Sequence, residues 1–122
     1  MRVLVIDDDM ILANLLKLTL ELDGFDVAVA HDGGAGLTKL REQRFDLVIL
    51  DLVMPNVDGV RFLRMLAETD APRPRVMVLS SAIEEGVTEA WRALGVVDVA
   101  RKPVEPGELV KRARRALDAD AS

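Results

Sequence analysis

Five short apolar runs recur along the chain: VLVI (3–6), VAVA (27–30), LVIL (47–50), VMVL (76–79) and VVDV (96–99). Four are almost continuous and rich in β-branched residues, the pattern of strands covered on both faces. Between and after them lie segments of helical length. ILANLLKLTLEL (11–22) carries Leu12, Leu16 and Leu20 on one side and Ile11, Leu15, Leu18 and Leu22 on the other. GLTKLREQRF and GVRFLRMLAE have helical spacing too, EEGVTEAWRAL sets Val87, Trp91 and Leu94 on one face, and PGELVKRARRAL does the same with Leu109, Ala113 and Leu117. Breakers stand at Asp23-Gly24, Gly33-Gly34, Pro72 with Pro74, Gly95 and Pro106-Gly107, where turns are needed. Strict alternation of strand and helix predicts one parallel sheet with helices on both faces and right-handed crossovers.

Composition narrows the class. The chain has 122 residues, half of them apolar, and no cysteine, so one core must hold without disulfides or thiolate metal sites. A net charge of −5 argues against direct DNA binding by phosphate neutralisation. No uncharged apolar run approaches the roughly 18 residues of a membrane span. Val3 to Ile6 is too short for a signal-peptide core, and a cytoplasmic location is the expectation.

In an open parallel sheet, function gathers beyond the carboxyl ends of the strands. The polar residues closing the five runs are Asp7 and Asp8, His31-Asp32, Asp51, Ser80-Ser81 and Lys102. Three acids, a hydroxyl and a lysine on one edge suit a cation and an anion held together. The cluster starts from VIDDDM (5–10), three adjacent carboxylates that repel by about 1 kcal/mol per pair even in water.

Taken together, IDDD after the first run, LDLVMPNVDG after the third, VLSSA after the fourth and RKP after the fifth resemble a bacterial two-component response-regulator receiver domain. The likeness runs from Val3 to about Leu117. It implies a three-layer (βα)5 flavodoxin-like fold with a parallel five-stranded sheet in the order 2-1-3-4-5. Residues 1–118 are then the receiver domain and 119–122 a short polar tail, with no output domain in the chain.

That order places the first and third strands about 4.8 Å apart, so Asp7, Asp8 and Asp51 converge. By resemblance, Asp8 and Asp51 ligate Mg²⁺ (Mn²⁺ as a substitute), Asp7 acts through a metal-bound water, and the Val53 carbonyl completes the protein ligands. Mg²⁺ suits such a site because it prefers oxygen and retains several waters. Asp51 is the implied phosphoacceptor, receiving the group from a phosphohistidine on a sensor histidine kinase or phosphotransfer protein, or from acetyl phosphate. Lys102 and the Ser80 hydroxyl balance the transferring oxygens. Strand alternation lets only one of two adjacent serines face the pocket readily. Alignment on the family's strand assigns that role to Ser80 and leaves Ser81 as the small residue beside the phosphate. The family holds the bond before Pro103 in cis, which can aim Lys102 inward.

Several features have plainer readings. Asp9 suits a helix N-cap. Met54-Pro55 and Asp58-Gly59 shape the loop after Asp51. HDGGAG (31–36) lacks the third glycine of a dinucleotide loop and the Lys-Ser/Thr of a Walker A loop, and His31 reads as a surface residue. Trp91 is first a packing residue and second a partner contact. Ile11, Leu12 and Leu15 are either covered by neighbouring helices or dock a kinase. In KRARR (111–115), Arg112 and Arg115 either favour the helix dipole or pair with Glu89 or Asp98 of a second molecule in a phosphorylation-linked dimer. Where the family usually carries an aromatic switch, this chain has Val99. Val53 and Ala82 are both apolar and cannot orient an attacking water, so the aspartyl phosphate is expected to be long-lived.

The resemblance therefore implies a phosphorelay switch with self-catalysed phosphorylation and slow autodephosphorylation, not a turnover enzyme. Its output surface is the fourth helix, fifth strand and fifth helix, facing a downstream effector. Two alternatives are a phosphorylation-independent interaction domain and a Mg²⁺-dependent aspartyl-phosphate hydrolase. The second wants an acid at the position of Val53.

Overall fold

A computed structural model of the chain describes residues 1–52, 59–68, 73–81 and 89–118. The elements alternate as β1 (Arg2–Ile6), α1 (Met10–Leu22), β2 (Asp26–Ala30), α2 (Gly33–Glu42), β3 (Leu47–Leu50), α3 (Gly59–Ala67), β4 (Arg75–Ser80), α4 (Glu89–Ala93), β5 (Val96–Arg101) and α5 (Pro106–Asp118). The strands form one parallel sheet in the order β2-β1-β3-β4-β5. This is the flavodoxin-like order that the resemblance implies.

The continuous apolar runs are explained by a sheet buried on both faces. Val3, Val5, Leu47, Ile49, Met77 and Leu79 point into a core shared with Ala13, Leu16 and Leu20 of α1 and Leu109, Ala113 and Leu117 of α5. Their strand neighbours Leu4, Ile6, Val48, Leu50, Val76 and Val78 point the other way, against Leu37 of α2 and Phe62, Leu63 and Leu66 of α3. Trp91 and Leu94 pack half-buried onto this second core, in line with the packing reading of Trp91; Val87 lies outside the described residues. Between β4 and β5 the pairing shifts: Val76 faces Val96, but Met77 faces Asp98, so Val97 is passed over.

Among the described residues, two glycines form true turns. Gly24 and Gly95 both have φ of 94°, the left-handed region that glycine enters without a Cβ clash. Gly33-Gly34 and Pro106-Gly107 instead open helices. Asp32 caps α2 by accepting from the Ala35 N–H at 2.7 Å. Pro106 opens α5, where its missing N–H costs nothing because the first helical N–H groups have no partner within the helix. Pro72 lies outside the described residues.

Arginines of α5 tie the helix down. The Arg112 Nη1 donates to both Asp98 carboxylate oxygens at 3.1 Å, and its Nε donates to Glu108 at 3.1 Å. Arg114 bonds the side chain and carbonyl of Asp23 and lies 5.1 Å over the Phe25 ring. Among the described residues no helix is long and apolar enough to cross a membrane.

A Cβ at Gly24 would meet no atom within 4 Å, so Gly24→Ala isolates backbone strain from packing. We expect a loss of about 1–2 kcal/mol in urea unfolding, and a smaller one for Gly24→Asn, whose side chain tolerates the left-handed region.

Candidate functional site

All five strands leave the sheet at one edge, and the ladder bonds extend one residue past two of them. The Asp7 N–H donates to the Ala30 carbonyl at 3.1 Å, and the Asp51 N–H to the Ile6 carbonyl at 3.0 Å. Both aspartate N–H groups are therefore held by the sheet itself. Asp7, Asp8 and Asp51 each present a carboxylate oxygen within 4.8 Å of the others, with Asp7 and Asp51 buried and Asp8 exposed.

Lys102 enters from the end of β5. Its ammonium donates to Asp7 Oδ2 at 2.8 Å and to Asp51 Oδ2 at 3.2 Å. All three side chains are largely shielded, at 17% exposure for Lys102, 3% for Asp7 and 9% for Asp51. Burial alone lowers the lysine pKa. The Asp7 hydrogen bond, the charges of Asp51 and Asp7 and the Asp51 hydrogen bond outweigh it and hold the group above its ordinary value. A raised folded pKa gives stability that is complete below the unfolded value and is lost only as pH climbs through the folded one. The lysine's contribution is therefore constant across neutral pH and is lost as pH rises through its folded pKa.

The two oxygens of Asp7 have separate partners: Oδ2 receives Lys102, while Oδ1 accepts the Asp9 N–H at 2.9 Å. Asp9 in turn accepts from the Leu12 N–H at 3.1 Å, capping α1. The three consecutive carboxylates thus have three different surroundings. One ammonium against three carboxylates leaves the cluster net negative, with hard oxygen donors of the kind Mg²⁺ prefers.

Ser80 closes β4 fully buried, and its carbonyl accepts the Lys102 N–H at 3.2 Å, which anchors the lysine beside it. Ser81 is exposed. The Lys102–Pro103 bond is cis. Val99 is buried in the core on the α2, α3 and α4 side of the sheet. Val53, Met54, Pro55, Asp58 and Ala82 lie outside the described residues.

The more distant residues divide. On α1, Ile11 and Leu15 are 84% and 54% exposed, whereas Leu12 is half-covered and packs on the core. Glu89 is exposed on α4. Arg112 and Asp98, which one reading of the sequence set across a dimer face, pair with each other inside one chain, and Arg115 approaches Glu108 at 3.9 Å. His31 is exposed. The sequence did not disclose that Lys102 bonds Asp7 as well as Asp51. Only the strand order, which sets how far the side chain must reach, could have suggested it.

The model of the response regulator receiver domain matches residues 3–114. This chain belongs to the response regulator receiver domain family. Receiver domains bind Mg²⁺ at an acidic pocket, and the cluster of Asp7, Asp8 and Asp51 provides one. The chain is 41% identical over 116 residues to the DNA-binding response regulator MtrA of Mycolicibacterium smegmatis, covering 95% of this chain and 50% of the relative. It is 37% identical over 117 residues to the transcriptional regulatory protein TrcR of Mycobacterium tuberculosis, covering 95% and 45%. The chain thus spans about half the length of these relatives. Among solved structures, the receiver domain of the Francisella response regulator 1452 superposes with a TM-score of 0.82 at 30% identity, over 96% of each chain. The chemotaxis protein CheY4 of Vibrio cholerae gives 0.77 at 27% identity, over 94% of this chain and 97% of that one.

Lys102→Met leaves Asp7 and Asp51 facing one another without a cation. In EDTA we expect about 3 kcal/mol less stability in urea unfolding, the scale of breaking a buried pair. The double variant with Asp7→Asn should recover part of that loss. A loss in the double variant equal to the sum of the losses of Lys102→Met and Asp7→Asn would mean that Asp7 and Lys102 are not coupled.

Proposed function

We propose that this chain is a phosphorylation-driven switch, in which Asp51 accepts a phosphoryl group from a phosphohistidine of a sensor histidine kinase or phosphotransfer protein. The observation that carries the reading is the buried ammonium of Lys102 held between Asp7 and Asp51, 2.8 and 3.2 Å away, at the edge where three carboxylates converge.

An Asp51 oxygen attacks phosphorus, an O–P bond forms, and the P–N bond breaks with its electron pair returning to the imidazole. Phosphoryl transfer asks the protein mainly for position and charge balance. Lys102 already lies within hydrogen-bonding distance of the attacking carboxylate and pairs with incoming phosphoryl oxygens, while the Ser80 hydroxyl donates to one of them. Asp7 has both oxygens engaged by protein donors, which favours a role through water; Asp8 and Asp51 ligate Mg²⁺ or Mn²⁺ directly with the Val53 carbonyl. Bound there, the dication supplies charge neutralisation to the transferring group.

Ile11 and Leu15, exposed at the start of α1, are the proposed kinase contact, with Leu12 contributing through its uncovered edge. The proposed output surface is α4, β5 and α5, acting on an effector or output domain. A second copy meeting that surface would draw first on Glu89 and Arg115, because Arg112 and Asp98 neutralise one another within the chain. The net charge of −5 favours protein partners over DNA for this segment, and a cytoplasmic setting follows from a kinase donor. With Val99 in place of an aromatic, output cannot use a ring swinging at that position.

Incubation with acetyl phosphate and Mg²⁺, followed by intact-mass measurement, should add one phosphoryl group to the wild type and none to Asp51→Asn. No adduct from any donor supports a phosphorylation-independent domain, and rapid multiple turnover supports a hydrolase. In a Mg²⁺ chase, label should persist for minutes or longer, since Val53 and Ala82 cannot orient water. Loss within seconds would refute that lifetime.

A further inference from the structure

We infer that Gly59, outside the acidic cluster, is a positioning residue that sets where Asp51 stands. A Cβ built on Gly59 would lie 2.5 Å from the Leu52 Cα, 2.7 Å from its Cδ2 and 3.0 Å from the Asp51 carbonyl oxygen. The first and third of these neighbours are backbone, which cannot rotate aside. The Gly59 N–H also donates to the Leu52 carbonyl at 3.0 Å, so α3 and the end of β3 are stitched together at their closest approach.

The inference rests on the phosphoacceptor reading of Asp51. It turns on which side of the contact must yield. Helix α3 is anchored by Phe62, Leu63 and Leu66, all buried in the core beneath the sheet. Leu52 lies beyond the β1–β3 ladder, whose last bond is the Asp51 N–H to Ile6. Helix α3 therefore holds, and the peptide between Asp51 and Leu52, past that last bond, is the side that yields while the Asp51 N–H stays on Ile6. The methyl needs about 1 Å more room, and a misplacement of that size costs about a hundredfold in a reaction that depends on alignment. Asp51 also receives the 3.2 Å bond from Lys102, which a displacement of its backbone would alter.

Gly36 provides an internal control. A Cβ there would meet Ile6 Cδ1 at 2.5 Å and Ile6 Cγ1 at 3.1 Å, so the close neighbours are side-chain atoms that can repack. Gly59→Ala and Gly36→Ala both crowd a buried contact, but only the first presses on the backbone of Asp51.

The test compares both variants with the wild type by thermal unfolding, by the Asp51 and Leu52 amide resonances, and by the rate of labelling with acetyl phosphate at saturating Mg²⁺. Gly59→Ala should shift the two amides and slow labelling by roughly tenfold to a hundredfold per folded molecule. Gly36→Ala should lower stability while keeping the wild-type rate. Unshifted amides, or a wild-type rate in folded Gly59→Ala, overturn the proposal, as does an equal slowing by Gly36→Ala. If Gly59→Ala does not fold, the double variant with Leu52→Ala, which removes the Cδ2 contact and keeps the two backbone ones, must label more slowly than Leu52→Ala alone; equal rates there are equally fatal. A wild type that takes no label while the amides shift in Gly59→Ala keeps the placement of Asp51 and rejects the phosphoacceptor reading instead.

Discussion

Asp7 and Asp51 follow adjacent parallel strands, and the ladder bonds of the sheet reach into both residues. The sheet holds both N–H groups, so the mutual repulsion of the side chains must be met by positive charge rather than by distance. At 4 Å, two like charges near a protein surface repel by about 4 kcal/mol, a large fraction of a small domain's stability. Lys102 supplies the first cation by bonding both carboxylates. It does not complete the balance, because Asp8 adds a third negative group at the exposed side. The cluster is therefore stable enough to fold and still net attractive to a dication.

The lysine can do this because its own backbone is fixed. Its N–H bonds the Ser80 carbonyl, so β4 and β5 hold Lys102 as firmly as β1 and β3 hold the acids. Beyond it, α5 is clamped to β5 by Arg112 on Asp98 and to the turn after α1 by Arg114 on Asp23 and Phe25. Val99, buried and β-branched, is a poor candidate for a rotating element, since such side chains have few accessible rotamers. A rearrangement around Lys102 would thus reach the surface through β5 and the packed α5, or through half-buried Trp91, rather than through a side-chain flip at residue 99.

The fold was largely legible because its signal is repeated. Five apolar runs separated by helical segments admit few topologies, and a sheet buried on both faces explains why the runs do not alternate. The aspartates and Lys102 were legible because strand ends collect function, but the strand order came from the family likeness, not from the runs. What the residues hid were matters of contact. Gly33-Gly34 and Pro106-Gly107 look like breakers, yet both open helices, because the first turn tolerates residues that a helix interior does not. Whether Arg112 meets Asp98 within one chain or across two depends on the packing of α5, to which local sequence is blind. The role of Gly59 is invisible for a similar reason: its close neighbour, Leu52, is not adjacent to it in the sequence.

Helix α1 shows how two apolar faces divide their labour. Ala13, Leu16 and Leu20 are buried, whereas Ile11, Leu15, Leu18 and Leu22 are exposed at spacings of four, three and four, one continuous seam along the helix. Burial against the sheet accounts for the first set and leaves the second without a role in folding. The net charge at the sheet edge gives the seam a physical rationale under the proposed function. A phosphorylated donor is itself anionic, so a net-negative pocket attracts it poorly, and a dication offsets only part of the mismatch. Affinity has to come from a neutral surface close by. Because α1 begins three residues after Asp7, with Asp9 capping it, Ile11 and Leu15 stand next to the acidic edge. Apolar contact there would hold a donor protein in place independently of charge, leaving the groups of the acidic edge to govern the transfer.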